Sequence, residues 1–214
     1  MKINITGLGV ISSIGNNITE TFESLINSRT GVKDHQMNFS PVKKIGKVDF
    51  SNKKLITDFK IKTNGSRSAL LGMIAAKEAY KGHENHDNIR TGLIAGTSVG
   101  GISVSSYERY LRLNKVGVND FVHHSSGTCT KEIATELNIN GFVNTMSTAC
   151  SSSTNAIIMG ARMIRNNLLD RVVVGGMDAL TPFTINGFSS LMIYDDEFCK
   201  PFDEKRAGLN LGEG

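Results

Sequence analysis

The stretch VNTMSTACSSST, residues 143–154, runs from a short apolar segment through small polar residues to a cysteine, and a long alanine- and isoleucine-rich segment follows it. This order predicts a buried strand, a tight turn and a helix that begins beside the cysteine. Cys150 would then lie at the positive end of the helix dipole, where a thiolate is stabilised. We expect the side chains of residues 151–153 to bind the free amides of the first helical turn. The backbone N–H of Cys150 would form half of an oxyanion hole.

These residues alone leave two interpretations of Cys150. It is either an activated nucleophile or a buried structural cysteine, which is the commoner role of a solitary thiol. Small and apolar residues on the predicted helix suggest that it is buried between two sheets; they are Ala156, Ile157, Gly160, Ala161 and Ile164. Cys129 and Cys199 have no surrounding motif that would activate a thiolate, so both are interpreted as structural.

Apolar runs punctuated by glycine alternate with helical patterns along the chain. The runs predict four buried strands, at Ile3–Val10, Gly92–Gly96, Phe142–Met146 and Arg171–Gly175. The helical patterns lie at Ile18–Asn27, Ser68–Lys81, Ile102–Leu113, Thr130–Leu137 and Ser151–Leu169. This alternation predicts an α/β fold, with a mainly parallel sheet covered by helices on both faces. The polar, lysine-rich stretch Phe39–Asn64 is interpreted as an irregular surface excursion.

The composition is that of a globular protein, with 39% hydrophobic and 21% charged residues among 214. The cysteines are too widely spaced for a disulfide scaffold or a structural zinc site. No apolar run approaches the ~20 residues of a membrane span, and the first residues lack the apolar core of a signal peptide. We therefore expect a cytoplasmic protein without a membrane span.

A mild basic excess, with a formal charge of +4, comes largely from lysines between residues 33 and 67. This run is interpreted as a solvated face, with a landing surface for an acidic partner protein as the alternative. Nucleic acid is a poorer partner, because no aromatic platform or basic helix accompanies the lysines.

Four blocks of the sequence together resemble the β-ketoacyl-acyl-carrier-protein synthases. STACSSS (147–153) is similar to their T-A-C active-site motif, and ITGLGVISSIG (5–15) is similar to their opening strand and turn. RVVVGGMDA (171–179) matches the strand that follows the nucleophile helix. KPFDEKRAG (200–208), with GEG (212–214), resembles the family's P-F-D-x-x-R-x-G-x-x-x-G-E-G signature. The blocks stand in the family's order and span the whole chain.

The resemblance implies one half of the duplicated, thiolase-like fold. Residues 1–214 would form a β-ketoacyl synthase N-terminal domain that ends as its last strand begins. The implied enzyme is an acyltransferase, in which Cys150 accepts an acyl group from the thioester of an acyl carrier protein. A malonyl thioester then loses carbon dioxide and condenses with the acyl-cysteine. Such enzymes need no metal or nucleotide cofactor and are usually homodimers.

The condensation step depends on residues of the family's second half. Two histidines in H-G-T and G-H motifs lie there, and none of the five histidines of this chain matches either motif; they are His35, His83, His86, His123 and His124. Condensation would therefore need a C-terminal half. The alternative is a non-catalytic or truncated subunit that acts by associating with a separate histidine-bearing half. Without its sister half, the domain should expose an apolar face that favours self-association.

The segment GTSVG (96–100) fits the G-x-S-x-G turn of a serine hydrolase. Asp120 and His123 are too close in sequence to complete a triad comfortably. In the resembled family, this stretch is a strand-to-helix turn beside the active site.

Two further patterns are set aside. Gly7-x-Gly9-x-x-Ser12 imitates a dinucleotide fingerprint but lacks its third glycine, so it is interpreted as a turn. His123 and His124 with Cys129 suggest a metal, yet no further ligands stand at the usual spacing. They are interpreted as surface or interface histidines.

Overall fold

The computed structural model describes residues 2–37, 40–63, 65–84, 88–102 and 123–214. The helices are α1 (Ile18–Ile26), α2 (Asn52–Asp58), α3 (Arg67–Tyr80), α4 (Ser126–Glu136), α5 (Ser152–Arg165) and α6 (Pro182–Ser190). The strands are β1 (Val32–Met37), β2 (Ser40–Gly46), β3 (Thr91–Gly96), β4 (Val143–Met146) and β5 (Arg171–Gly176). Nearly all of the predicted helix Ile102–Leu113 lies outside the described residues.

The central sheet has three parallel strands in the order β4-β3-β5. Leu93 pairs with Val143 on one side and with Val173 on the other. Five of the six residues of β3 are buried, as expected for the middle strand of a parallel sheet with both faces covered. The predicted parallel sheet is therefore confirmed.

Helices cover both faces of this sheet. Val173 packs in the main core with residues of α3 and α4. The neighbouring Val172 and Val174 point to the opposite face, where they contact α5 at Gly160. A Cβ atom at Gly160 would lie 2.5 Å from Val174 Cγ1, so the missing side chain allows α5 to approach the sheet closely. The predicted α/β architecture is confirmed.

Helix α3 forms the centre of the main core. Ser66 caps its amino terminus by accepting a hydrogen bond from the amide of Ala69. Four apolar side chains of its first two turns are fully buried: Ala69, Leu70, Leu71 and Met73. This burial around the helix axis explains why its sequence shows no clear polar face.

The predicted strand Ile3–Val10 is wrong, because this segment belongs to no strand of the described structure. It crosses α3 instead, so closely that Cβ atoms at Gly7 and Gly9 would clash with the backbone oxygens of Ala79 and Ala75 on α3. The amide of Val10 donates to the Glu78 carboxylate, also on α3. A slot of about 170 Å³ lies between residues 3–7 and β5. The two glycines and the Glu78 carboxylate thus attach this segment to α3, and it does not join the sheet.

The prediction of an irregular excursion over Phe39–Asn64 is also wrong. Strand β2 pairs antiparallel with β1, and α2 begins after Ser51, whose hydroxyl accepts from the amide of Lys54. The sequence analysis missed these elements because their many lysines suggested an irregular segment. In the structure, those lysines pair with carboxylates. Four ion pairs involve lysines of this region: Lys33–Asp49, Lys43–Asp196, Lys44–Asp34 and Lys54–Asp58. The side chains of Lys33 and Lys54 are more than half exposed, as the solvated-face interpretation expects, whereas those of Lys43 and Lys44 are largely buried.

Helix α5 is shorter than predicted. It ends at Arg165, and Asn167 then adopts a left-handed backbone conformation with φ of 56°. A residue in this conformation terminates an α-helix.

Helix α1 exposes an apolar stripe to solvent. Phe22, Leu25 and Ile26 are each more than 60% exposed, and they are neighbours at helical spacing. The expected uncovered apolar face is therefore present. Among the described residues, no helix has the length and apolar character needed to cross a membrane.

Candidate active site

Cys150 lies in the turn that joins β4 to α5. Strand β4 ends at Met146, and the first helical residue is Ser152, so the cysteine stands two residues before the helix. Its side chain is exposed. The sulfur is thus neither within a strand nor sealed in the core, and the predicted strand–turn–helix placement is confirmed.

The residue before the cysteine has an unusual backbone. Ala149 adopts φ of 52°, a left-handed conformation that costs a residue with a Cβ atom about 1–2 kcal/mol. Three hydrogen bonds converge on its carbonyl oxygen: from the Ser98 hydroxyl at 3.1 Å, the Ser152 hydroxyl at 2.6 Å and the Ser152 amide at 3.0 Å. These bonds offset the backbone cost and fix the turn that carries Cys150.

Ser151 and Ser152, which follow Cys150, stabilise this turn. The prediction that their side chains cap the helix is wrong. Ser151 is the N-cap residue, but its side chain makes no capping bond and donates to the carbonyl of Thr148 at 2.8 Å. The Ser152 hydroxyl accepts from the amide of Thr148 at 2.9 Å. The hydroxyls of Ser151 and Ser152 thus bind groups of the turn, at Thr148 and Ala149.

Asp178 organises the neighbouring turn, GTSVG (96–100). Its carboxylate accepts the amides of Ser98, at 3.0 Å, and of Val99, at 3.2 Å, together with the Thr97 hydroxyl. Because β3, β4 and β5 are parallel, the residues after their carboxyl ends share one edge of the sheet. Ser98, Cys150 and Asp178 follow β3, β4 and β5 respectively. Hydrogen bonds join Asp178 to Ser98, and Ser98 to Ala149, the residue before Cys150.

A buried ion pair lies behind Asp178. The Glu213 carboxylate, with only 1% of its side chain exposed, accepts from Arg67 and from the amides of Val48 and Leu180. The next residue, Gly214, exchanges two backbone hydrogen bonds with Asp178. The ion pair therefore anchors the backbone that holds Asp178 at the sheet edge.

Comparison with known proteins identifies the family. The β-ketoacyl synthase N-terminal domain matches residues 1–214. The chain belongs to the β-ketoacyl synthase family. It is 28% identical to a 3-oxoacyl-[acyl-carrier-protein] synthase 2 of Coxiella burnetii, over all of this chain and 56% of that protein. The chain therefore spans about half the length of such curated relatives of the synthase family.

Solved ketosynthases share this fold. One, from Xenorhabdus doucetiae in complex with its chain length factor, is 27% identical with a TM-score of 0.80. That match covers 98% of this chain and 55% of the other. The ishigamide ketosynthase/chain length factor matches with a TM-score of 0.84 at 24% identity, over 98% of this chain and 55% of that one. The expected thiolase-like fold of a β-ketoacyl synthase is confirmed.

The other two cysteines of this synthase-family chain lie in different surroundings. Cys129 is fully buried, and its sulfur lies 3.3 Å from the Ser66 hydroxyl. Burial raises the pKa of its thiol, which disfavours the thiolate. Cys199 is half-buried, and its amide donates to the Asn210 side chain. Of the three thiols, the Cys150 thiol is the exposed one.

Three sequence patterns that suggested other functions have structural roles: the serine-hydrolase turn, the dinucleotide fingerprint and the possible metal ligands. The Ser98 hydroxyl donates to a carbonyl, which leaves it poorly placed as a hydrolase nucleophile. The turn predicted at residues 7–12 is wrong: Gly7 and Gly9 pack on α3, and the observed turn joins Ser12 and Gly15 by backbone hydrogen bonds. His123 faces Glu132, with 2.8 Å between Nδ1 and Oε1, whereas the Cys129 sulfur contacts a serine. Burial raises the pKa of Glu132.

Sequence reasoning did not assign roles to Arg67, Asp178 or Glu213. Asp178 and Glu213 lie inside the blocks RVVVGGMDA and GEG that resemble the synthases, so those blocks held a usable signal. Arg67 had no such signal, because its partner is 146 residues away in sequence.

Proposed function

We propose that this chain is the cysteine-bearing domain of a 3-oxoacyl-[acyl-carrier-protein] synthase, and that Cys150 accepts the acyl group. The observation that carries this proposal is the exposed thiol of Cys150, held in a rigid turn before α5, within a family whose active-site motif it matches. Family membership supports an acyltransferase, and the geometry supports a thiol that a bulky substrate can reach.

The first step is transfer of an acyl group from a carrier-protein thioester. The Cys150 thiolate attacks the thioester carbonyl, and a bond forms between its sulfur and the carbonyl carbon. The bond from that carbon to the carrier sulfur then breaks, and the carrier thiolate takes up the proton that Cys150 released. Cys150 lies two residues before the amino terminus of α5, where free backbone amides stabilise negative charge that develops during the reaction. The backbone N–H of Cys150 is the proposed donor to the developing oxyanion.

The second step is condensation with a malonyl thioester, which needs the histidines of a C-terminal half. The exposed apolar stripe on α1 supports docking of such a half, or of a second copy of this chain as a homodimer. The same stripe favours a second candidate function, in which the chain is a non-catalytic subunit that acts by association. Acyl transfer to Cys150 distinguishes the two.

A mass measurement tests the acyl-transfer step. The protein is incubated with a short-chain acyl thioester, either of N-acetylcysteamine or of an acyl carrier protein, and its intact mass is recorded. We expect one acyl group on the wild type and on Cys199→Ser, and none on Cys150→Ala. Cys199 is the matched control because it is the more accessible of the two remaining thiols.

Folded wild-type protein that gains no acyl group from either reagent would contradict the catalytic role. An oligomer under the same conditions, measured by light scattering, would then favour the non-catalytic subunit. An adduct that persists in Cys150→Ala would assign the reactive thiol elsewhere.

A further inference from the structure

The turn that carries Cys150 is tied to the rest of the sheet through the Ser98 side chain. The other side-chain hydroxyl on the Ala149 carbonyl belongs to Ser152, three residues away in the same turn and helix. Such a local bond moves with the turn and does not fix it relative to its neighbours. Ser98 follows β3, so its bond of 3.1 Å to Ala149 O fastens the turn to the adjacent strand.

Ser98 is itself held in place from a third strand. Asp178, just after β5, accepts the Ser98 amide with both carboxylate oxygens, at 3.1 and 3.0 Å. The Thr97 hydroxyl donates to the same carboxylate and accepts the amide of Gly100 at 2.9 Å. Residues 97–100 therefore form a turn whose polar groups are largely satisfied, and the Ser98 hydroxyl extends from it toward Ala149.

We propose that Ser98 and Asp178 are positioning residues for Cys150: Asp178 fixes the Ser98 backbone, and the Ser98 hydroxyl holds the Ala149 peptide in the left-handed conformation that sets the direction of the cysteine. Ser98 supplies the one of the three hydrogen bonds to Ala149 O that comes from another strand, and a left-handed alanine that loses such a restraint relaxes toward an ordinary backbone conformation. Since Cys150 is the next residue, that relaxation rotates its Cα–Cβ bond. This inference rests on the proposed function for its chemical consequence, but its conformational part does not.

The conformational part is tested by nuclear magnetic resonance on protein labelled with ¹³C at alanine Cβ. The Cβ shift of Ala149 reports its backbone conformation. We expect the shift to move toward ordinary helical or extended values in Ser98→Ala and in Asp178→Asn, and to stay at its wild-type value in Ser98→Thr, which keeps the hydroxyl. Ser190→Ala is the matched control, since the Ser190 hydroxyl also donates to a backbone carbonyl, that of Gly187 at 2.7 Å. An unchanged Ala149 shift in Ser98→Ala would overturn the proposal.

The chemical part compares two reagents on the same thiol. An acyl thioester must approach Cys150 in one orientation, whereas iodoacetamide is small and approaches from many directions. Loss of one hydrogen bond predicts that Ser98→Ala is acylated roughly 2- to 10-fold more slowly than the wild type. The rate of alkylation by iodoacetamide should change by a smaller factor, and Ser98→Thr should regain the wild-type acylation rate. An equal fall in both rates, or no recovery in Ser98→Thr, would indicate a merely structural serine.

The two proposals fail in different ways. If wild-type protein is not acylated at all, the proposed function is wrong, and the Ala149 shift still decides whether Ser98 holds the turn. If wild-type protein and Ser98→Ala are acylated at the same rate, Cys150 keeps its proposed role and the positioning role is refuted.

Discussion

Replacing Glu213 with glutamine should strongly destabilise the fold. The carboxylate is almost completely buried and accepts two hydrogen bonds from Arg67 and one each from the amides of Val48 and Leu180. Glutamine keeps the shape but presents an NH₂ group where two of these donors point. Arg67, only 18% exposed, would then be left without its counter-charge.

The expected loss follows from these contacts. Removing one partner of a buried ion pair costs about 3–5 kcal/mol, and a buried amide without an acceptor costs about 1–3 kcal/mol. Because these costs overlap, we expect Glu213→Gln to lower the free energy of unfolding by about 4 kcal/mol. A domain of this size is stable by roughly 5–15 kcal/mol, and each kcal/mol lowers Tm by about 2–4 °C. The predicted fall in Tm is thus about 8–16 °C.

Urea unfolding followed by circular dichroism measures this loss. The matched control is Asp49→Asn, which removes an exposed pair with Lys33, at 3.0 Å and with both side chains about 60% exposed. That change should cost at most about 1 kcal/mol. High salt should weaken the control effect and leave the Glu213→Gln effect largely intact, because buried charges are poorly screened.

A double-mutant cycle provides the refutation. Arg67→Met combined with Glu213→Gln should cost less than the sum of the two single changes, since the second change removes a group that the first left unpaired. If Glu213→Gln costs no more than Asp49→Asn, or if the two changes at the buried pair are additive, the described network does not hold the fold together.

Two further predictions concern packing and charge. Gly160→Ala should destabilise the protein by about 1–3 kcal/mol in the same urea assay, because its Cβ would lie 2.5 Å from Val174 Cγ1. The control is Gly127→Ala, which should cost nothing because its Cβ would lie 3.7 Å from its nearest neighbour. Arg90 lowers the pKa of Asp170 to about 2 by hydrogen bonds to its carboxylate. The stability that this pair contributes is therefore fully present above pH ~4, the ordinary pKa of an aspartate, and is lost as the pH falls toward 2. Arg90→Gln should raise the pKa of Asp170 toward 3.8, as followed by carboxyl ¹³C titration; an unchanged midpoint would refute the assigned cause.

The elements predicted best from sequence were those with a strong local pattern. The parallel strands β3, β4 and β5 and the helix after Cys150 combine apolar runs with glycine or small-residue turns, and both signals are local. The lysine-rich hairpin and α2 were missed because their polarity suggested an irregular segment. Ile3–Val10 was mispredicted for the opposite reason: its apolar pattern fits a strand, but the segment packs on α3 through glycines.

The sequence by itself determined the α/β class, the family resemblance and the place of Cys150 between a strand and a helix. Each of these depends on residues that lie close together in the chain, or on blocks that can be matched without coordinates. Only the tertiary structure showed that Ser98, Ala149 and Asp178 are joined by hydrogen bonds, and that Arg67 and Glu213 form a buried pair. Ser98, Ala149 and Asp178 meet because the parallel sheet brings the carboxyl ends of its strands to one edge. Arg67 and Glu213 are 146 residues apart and meet where the start of α3 packs against the last residues of the chain. Sequence spacing encodes neither proximity.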